Sequence, residues 1–574
     1  MAITVRQFAL YWSAIMLMFA SACVLAETVP ADRIYRGGTV LTMDDATAGA
    51  TAVAINGNRI VAVGSEEDIE AFIGKDTKVQ ILNGKTLIPG FIDAHSHLLF
   101  HGLTRSRFID LNSPPVGVVN SIEDIFALLK ERAAQTPAGD WVLGFGYDDT
   151  LLRQMRHPSR QELDEISTEH PIWLTHVSAH MGVANSRALA MAGIDATTPE
   201  PEGGVIHRDS RGEPSGLLEE KSAMWPVVEL IFDSVDARMA FRALAAALDD
   251  YASKGITTAQ DGAATKETLA LLAMARKRGL LKTRVVAYPN IDLTLAQLDG
   301  KYRLPFENDD FLRVGATKAF SDGSIQGYTG YLSHGYHIPR DPNDPDNHGY
   351  PQVDRKMLVE QVKKVHASGG QIAVHGNGDA AIDDILHAFE VAQKASPRED
   401  ARPVIIHSQM VREDQLDKIV QLGVIPSLFN MHTYYWGDRH RDIFIGPERA
   451  ARISPLKSIG ERGIRYTLHA DTPVVPMTPL RMLWSAVSRK TASEQVLGPE
   501  QRVSVEQALR ALTIDAAYQY YEEHSRGSIS VGKLADMVVL DANPLTVAPD
   551  DILNIQILET LVDGQVVYRA DKDE

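Results

Sequence analysis

The chain has 574 residues, 44% apolar and 23% charged, a globular profile that excludes a polytopic membrane protein, a collagen-like fibre and a mostly disordered chain. Its 57 basic and 75 acidic residues give a net charge of −18, which repels phosphate backbones and argues against nucleic-acid binding. The single cysteine, Cys23, excludes both an intramolecular disulfide and a Cys-based metal site.

Residues 7–26 are uncharged and mostly apolar, preceded by Arg6 and followed by Glu27. This is the pattern of a secretory signal peptide (residues 1–26) cleaved near Ala26, so export to a periplasm is expected. Ala20-Ser21-Ala22-Cys23 resembles a lipobox with Ala where Leu is usual, which makes a lipoprotein anchored at Cys23 the alternative. An uncleaved anchor is a third reading, and membrane contact is expected only in these last two cases.

Residues 31–88 contain short β runs at 39–43, 52–55, 60–63 and 79–82, with Asn56-Gly57 as a hairpin signal. Residues 526–570 have the same texture, broken at Asp563-Gly564, so both ends are expected to form one composite β-sandwich domain. Between them, over 89–525, apolar strands alternate with helical segments. Eight strand candidates end in polar residues: 87–97, 255–261, 283–289, 315–320, 371–375, 403–407, 423–428 and 465–471. Eight βα units predict an α/β fold, a closed (β/α)8 TIM-like barrel with its chemistry at the strand C-termini.

The gap at about 105–245 reads as an insertion lobe after strand 1, with its own strands at 141–146 and 171–176. The stretches 321–355 and 429–455 read as long loops over the barrel mouth. Ser504-Val-Glu-Gln507 is a capping-box start for a helix running toward Tyr520.

His95-Ser96-His97 ends the first strand, and residues i and i+2 of a strand share a face, so both imidazoles can reach one ion. With 19 histidines in the chain such a pair is cheap by itself. Position raises its weight: His375, His407 and Asp471 also end predicted strands. Buried polar groups there need partners, and a divalent cation satisfies all of them together. Lys318, ending Val314-Gly-Ala-Thr-Lys, completes the ring; an ion pair with Asp322 or Asp471 is its plainer reading.

Pro89-Gly-Phe-Ile-Asp-Ala-His-Ser-His97, Val374-His-Gly-Asn-Gly-Asp379, Ala470-Asp-Thr-Pro473 and the stretch Gly527 to Asp536 resemble the amidohydrolase superfamily. Lys318-Ala-Phe-Ser-Asp-Gly-Ser324 and Val183-Ala-Asn-Ser-Arg-Ala-Leu189 resemble amidohydrolase family 3, in its YtcJ-like and N-substituted formamide deformylase branch. The resemblance implies a binuclear site, commonly two zinc ions. His95, His97 and Asp471 would hold one metal, His375 and His407 the other, and Lys318 would bridge both as its carbamate. It further implies hydrolysis of an amide- or formamide-type, non-peptide carbon–nitrogen bond of a small organic molecule by metal-activated hydroxide. Asp471 would be the catalytic proton carrier. Two departures stand out: His469 occupies a position where the family usually has Gly, and Ser178-Ala-His180 replaces Asp-Gly-His.

His180, His432 and Trp436 are candidate substrate-binding residues, with Tyr434, Tyr435, Tyr328 and Tyr331 as a candidate aromatic wall. Arg439 and Arg441 are candidate carboxylate receptors. The alternatives are ester or lactone hydrolysis at the same site, or a catalytically silent binding homologue, whose mark would be lost ligands. None of the six is lost. A homodimer is compatible with the sequence.

Overall fold

The computed structural model describes residues 29–570; the signal-peptide, lipobox and Cys23 readings lie outside the described residues. No helix among the described residues is long and apolar enough to cross a membrane.

The centre is a ring of parallel strands in two arcs. The first arc orders Phe91–Ile92, Ile256–Ala264, Arg284–Pro289 and Leu312–Val314 side by side. The second runs Thr317–Phe320, Ile372–Gly376, Val404–His407, Ile425–Leu428 and Thr467–Leu468. Asn290 bridges Lys318 between the arcs. At the other seam the Asp471 amide donates to His95 O (3.2 Å) and the His97 amide to Thr472 O (2.8 Å). Helices such as Lys266–Lys277 and Asp379–Ala395 connect consecutive strands, giving the TIM-barrel-like α/β fold that the alternating pattern predicts.

Side-chain alternation builds two cores from each strand. Val286, Ala373, Val404 and Ile406 pack in one buried cluster with Ile92 and Tyr288. Their neighbours Val285, Val374 and Ile405 join the helices through Leu272, Ile385 and Leu386 in another. Each such fully buried aliphatic side chain contributes roughly 1.5–3 kcal/mol.

Several predicted elements are subdivided. The 87–97 run serves two sheets: Thr86–Pro89 pairs with Met537–Leu540, while Phe91–Ile92 enters the barrel. Gly90 marks the crossing, where a Cβ would lie 2.2 Å from the Thr257 side chain. The 315–320 strand is broken, with Leu312–Val314 and Thr317–Phe320 on either side of Gly315 and Ala316. The segment 429–455 is not a loop but carries helices His432–Arg439 and Gly446–Ala451 joined by a π-helical turn His440–Phe444. The capping box at Ser504 is present, but its helix ends at Ala511 and a second begins at Ile514. At the break the Leu512 carbonyl accepts the Ile92 amide at 2.9 Å, a bond that ties this turn to the first barrel strand.

Two further sheets come from both ends of the described chain, one with Arg33–Arg36, Ala52–Asn56, Arg59–Gly64 and Lys78–Ile81, the other joining Thr86–Pro89 to Met537–Leu540 and Ile557–Val562. Their facing side chains, among them Tyr35, Val53, Leu87, Met537 and Leu561, form one buried cluster. Asp563 and Gly564, at φ 57° and 74°, make the tight turn expected of that pair. A six-stranded sheet, running in sequence from Ile109–Asp110 to Pro214–Glu219, falls between the first two barrel strands.

Candidate metal centre

All six strand-end residues meet at one end of the barrel. The ligand atoms of His95, His97 and Asp471 lie within 4.8 Å of one another. His375 and His407 stack edge to face with ring centres 4.4 Å apart, and His95 is 5.9 Å from His407. Lys318 Nζ lies 3.0 Å from His95 Nε2, fully buried. It makes no ion pair with Asp322 or Asp471, so its plainer reading is not what the structure contains.

Hydrogen bonds orient the rings. His95 Nδ1 donates to Gln260 Oε1 (3.1 Å), His97 Nδ1 to Gly262 O (2.8 Å) and His375 Nδ1 to Asp322 Oδ1 (3.1 Å). Each bond fixes one tautomer, with the proton on Nδ1 and the lone pair on Nε2. The backbone approaches closely here: a Cβ on Gly262 would sit 2.6 Å from His95 Cε1. His407 and Asp471 leave the extended strand path, at φ 75° and 51°, where they join the cluster. Backbone strain of this kind costs about 1–3 kcal/mol and collects at functional sites.

Electrostatics make the histidines neutral. Burial drives the His95, His375 and His407 imidazoles well below their ordinary range, and the Lys318 amine is pushed down to about 7 by burial. Burial alone would raise the Asp471 carboxyl, but His97, His407 and His95 around it hold it well below the usual carboxylate range. Neutral imidazoles and an ionised carboxylate are the forms that bind divalent ions. Asp471 Oδ1, His407 Nδ1 and both ring nitrogens of His469 are buried without a hydrogen-bond partner. Such atoms are costly unless something not made of protein meets them, and the donor set suits a divalent cation.

The remaining candidates separate. His180 and His432 line the same chamber as His375, His407 and Asp471. Trp436 does not: its Nε1 donates to Asp148 Oδ2 (3.2 Å) in a neighbouring cleft that Tyr435 also lines. Tyr328 packs on Tyr336 and Phe444, away from the chamber, and Tyr331 stacks near His348. Arg439 is tied to Asp148 at 2.6 Å and Arg441 to Asp442 at 2.7 Å, so neither is free to receive a carboxylate.

Sequence reasoning missed three contributors. His469, noted only as a departure, is fully buried with its ring 5.3 Å from His95 and 5.1 Å from His407; its placement two residues before Asp471 was the available signal. Asp93, whose carboxyl burial pushes up to about 7, accepts the Gln260 and His95 amides and the Ser96 hydroxyl. Glu220, fully buried at φ 66°, accepts from His180 Nδ1 (2.8 Å) and Gln352 Nε2 (2.6 Å). Burial lowers the His180 imidazole, but the Glu220 carboxylate outweighs it and the balance is upward. Nothing in the local sequence marks Glu220.

Comparison with known proteins agrees with this geometry. The amidohydrolase family model matches residues 79–568. The N-substituted formamide deformylase of Arthrobacter pascens is 29% identical, over 94% of this chain and 98% of its own. The protein named YtcJ from Bacillus subtilis is 29% identical, over 93% of this chain and 99% of its own. A solved metal-dependent hydrolase from Pyrococcus horikoshii shares the fold at a TM-score of 0.71 and 23% identity, covering 90% of this chain and 99% of that one. The chain belongs to the amidohydrolase family and is a hydrolase of carbon–nitrogen bonds other than peptide bonds.

Proposed function

We propose that the protein hydrolyses an amide- or formamide-type bond of a small organic molecule at a two-zinc centre. In this reading His95, His97 and Asp471 would hold one ion, His375 and His407 the other, and Lys318, as its carbamate, would supply an anionic oxygen ligand. The observation that carries it is the gathering of His95, His97, Lys318, His375, His407 and Asp471, the last with a buried carboxylate oxygen that has no hydrogen-bond partner. The Arthrobacter relative, by its name, acts on N-substituted formamides, which supports the substrate class.

Bound zinc would supply a hydroxide at neutral pH and polarise the substrate carbonyl. The chain's own residues do the rest. The neutral Lys318 amine attacks CO2 and releases a proton, converting a buried amine into an anionic ligand. Asp471, ionised, would take a proton on the carboxylate oxygen turned away from that ion and return it to the leaving nitrogen. His180, held at Nδ1 by Glu220, presents its other nitrogen to the chamber as a hydrogen-bonding group for the carbonyl oxygen. His432, buried and driven to about 3 by burial, faces substrate as a neutral imidazole.

We also read residues 89–525 as the catalytic barrel with an insertion lobe at about 105–245, and 31–88 with 526–570 as a composite β-sandwich. Residues 1–26 are read as a signal for export. The test is metal analysis of protein purified without chelators, coupled to a panel of formamides, N-acyl amines, lactones and aryl esters. Two zinc ions per chain with turnover of formamides or N-acyl amines is the expected result. Fewer than one transition metal per chain, or turnover confined to esters and lactones, overturns it.

A further inference from the structure

Of the segment Lys318-Ala-Phe-Ser-Asp-Gly-Ser324 only Lys318 has a place in the proposed centre, yet Lys318 and Asp322 are both 0% exposed. Four nitrogens converge on the Asp322 carboxylate. Its Oδ1 accepts from His375 Nδ1 (3.1 Å) and the Asn377 amide (3.0 Å). Its Oδ2 accepts the Gly378 (2.8 Å) and Tyr331 (3.0 Å) amides. Three of the four partners are backbone amides, which only donate, and an ionised carboxylate only accepts. The imidazole is the one partner with a choice of tautomer, and this carboxylate puts its proton on Nδ1. Asn377 Nδ2, 3.4 Å from His375 Nε2, meets the lone pair on the other side of the ring.

The same two oxygens hold the chamber wall. Before Tyr331 the chain folds back on itself: the Gly323 amide donates to Thr329 O (3.2 Å) and the Ser324 amide to Thr329 Oγ1 (3.0 Å). This loop brings Ser324 and Gln326 to the chamber. Asn377, which also lines the chamber, donates from Nδ2 to Gly323 O at 2.9 Å. Packing leaves no slack, since a Cβ on Gly378 would lie 1.9 Å from Tyr331 O. A second acid holds the same loop without touching His375: Asp379 accepts the Ser333 amide at 2.9 Å and pairs with Arg412 at 3.0 Å.

We propose that Asp322 is a positioning residue of the centre: its one carboxylate sets the tautomer and aim of His375 and fastens the loop that carries Ser324 and Gln326. The consequence for metal affinity rests on the two-zinc reading; the tautomer does not.

The test reads the His375 ring by nitrogen NMR in the metal-free full chain, labelled at histidine, with His375→Gln identifying its signals. Burial pushes the Asp322 carboxyl up to about 7 against the pull of the Gly378, Asn377 and Tyr331 amides, so spectra are taken well above that pH. Wild type should show a proton on Nδ1 and a bare Nε2. Asp322→Ala should give a mixture of tautomers or the reverse one. Exchange of the Tyr331 amide should quicken about tenfold in that variant, for loss of one hydrogen bond. Asp379→Asn, which loosens the same loop at Ser333, should keep the wild-type tautomer. A wild-type ring protonated at Nε2, an unchanged tautomer in Asp322→Ala, or the same change in Asp379→Asn overturns the proposal. Where Asp322→Ala does not fold, the wild-type spectrum alone decides between Nδ1, which upholds it, and Nε2, which does not.

In chelator competition, Asp322→Ala should release one zinc ion about 10–100-fold more readily than wild type, and Asp379→Asn should not. Equal affinity in Asp322→Ala and wild type overturns the role toward metal. Fewer than one ion in wild type defeats the two-zinc reading, and the tautomer then still decides the part played by Asp322.

Discussion

Two clusters in this molecule gather histidine with aspartate, and their residue types are nearly the same. His95, His97 and Asp471 sit at the barrel mouth; Asp148, Asp149 and His176 sit beside the six-stranded sheet. In the second cluster every carboxylate faces a positive or protonatable group. Asp148 meets Arg439 at 2.6 Å, and Asp149 lies 3.1 Å from His176 and 3.4 Å from His157. His157 in turn accepts from Arg340 at 2.7 Å. One guanidinium, Arg439, therefore pairs with a carboxylate of this triad, and Arg340 reaches it through His157. In the first cluster no arginine among the described residues pairs with Asp471, whose Oδ1 meets only His95 and His97 Nε2, each at 3.4 Å and without a hydrogen bond. An arginine paired to the carboxylate, more than residue type, separates this network from the candidate metal site.

The sharpest way to break this contrast is Asp471→Asn. Turnover should fall by about 10²–10⁴-fold while the fold persists, measured as kcat beside circular dichroism. Near-normal rates would remove Asp471 from the mechanism and weaken the distinction. Asp148→Ala should do the reverse, leaving metal stoichiometry intact but costing about 3–5 kcal/mol in denaturant unfolding, because Arg439 loses its buried partner. Metal loss in that variant would make the second cluster a metal site too.

Lys318→Ala should lower metal content, with partial recovery of metal and activity on adding short carboxylic acids. Two metals retained without any such dependence would sink the carbamate. The metal-free protein offers a pH test. Burial drives His432 and His469 to about 3 from 6.5, so the fold holds them neutral while the unfolded chain takes up protons below pH 6.5. Their stabilisation is present above that pH and is lost as pH falls toward 3, with a slope of up to about 1.4 kcal/mol per unit for each. Urea melts of chelated protein at pH 7.5 and 5.5 should differ accordingly, and His469→Gln should reduce the difference; equal stability at both pH values contradicts it. The smallest effect is expected for Glu220→Gln, about tenfold in kcat with metal content unchanged. Loss of folded protein would instead make Glu220 structural, and Glu220→Asp recovery of kcat separates the two.

Much of the site was legible because it is local. Strand alternation and polar strand ends place Lys318, His375, His407 and Asp471 by short-range rules, and the His95-Ser-His97 pair needs only a two-residue period. The surroundings of Trp436 were not legible because its indole meets Asp148, 288 residues away, on a helix that the sequence reads as loop.

The sequence by itself determined the alternation of strands and helices and the positions of His95, His97, Lys318, His375, His407 and Asp471 along it, since each depends on patterns within a few residues. Tertiary structure alone decided which polar groups remain free. Lys318 finds His95 across 223 residues, Arg439 finds Asp148 across 291, and Glu220 finds His180 across 40. A buried charge is stable only when matched, and the match comes from whichever distant segment the fold brings alongside.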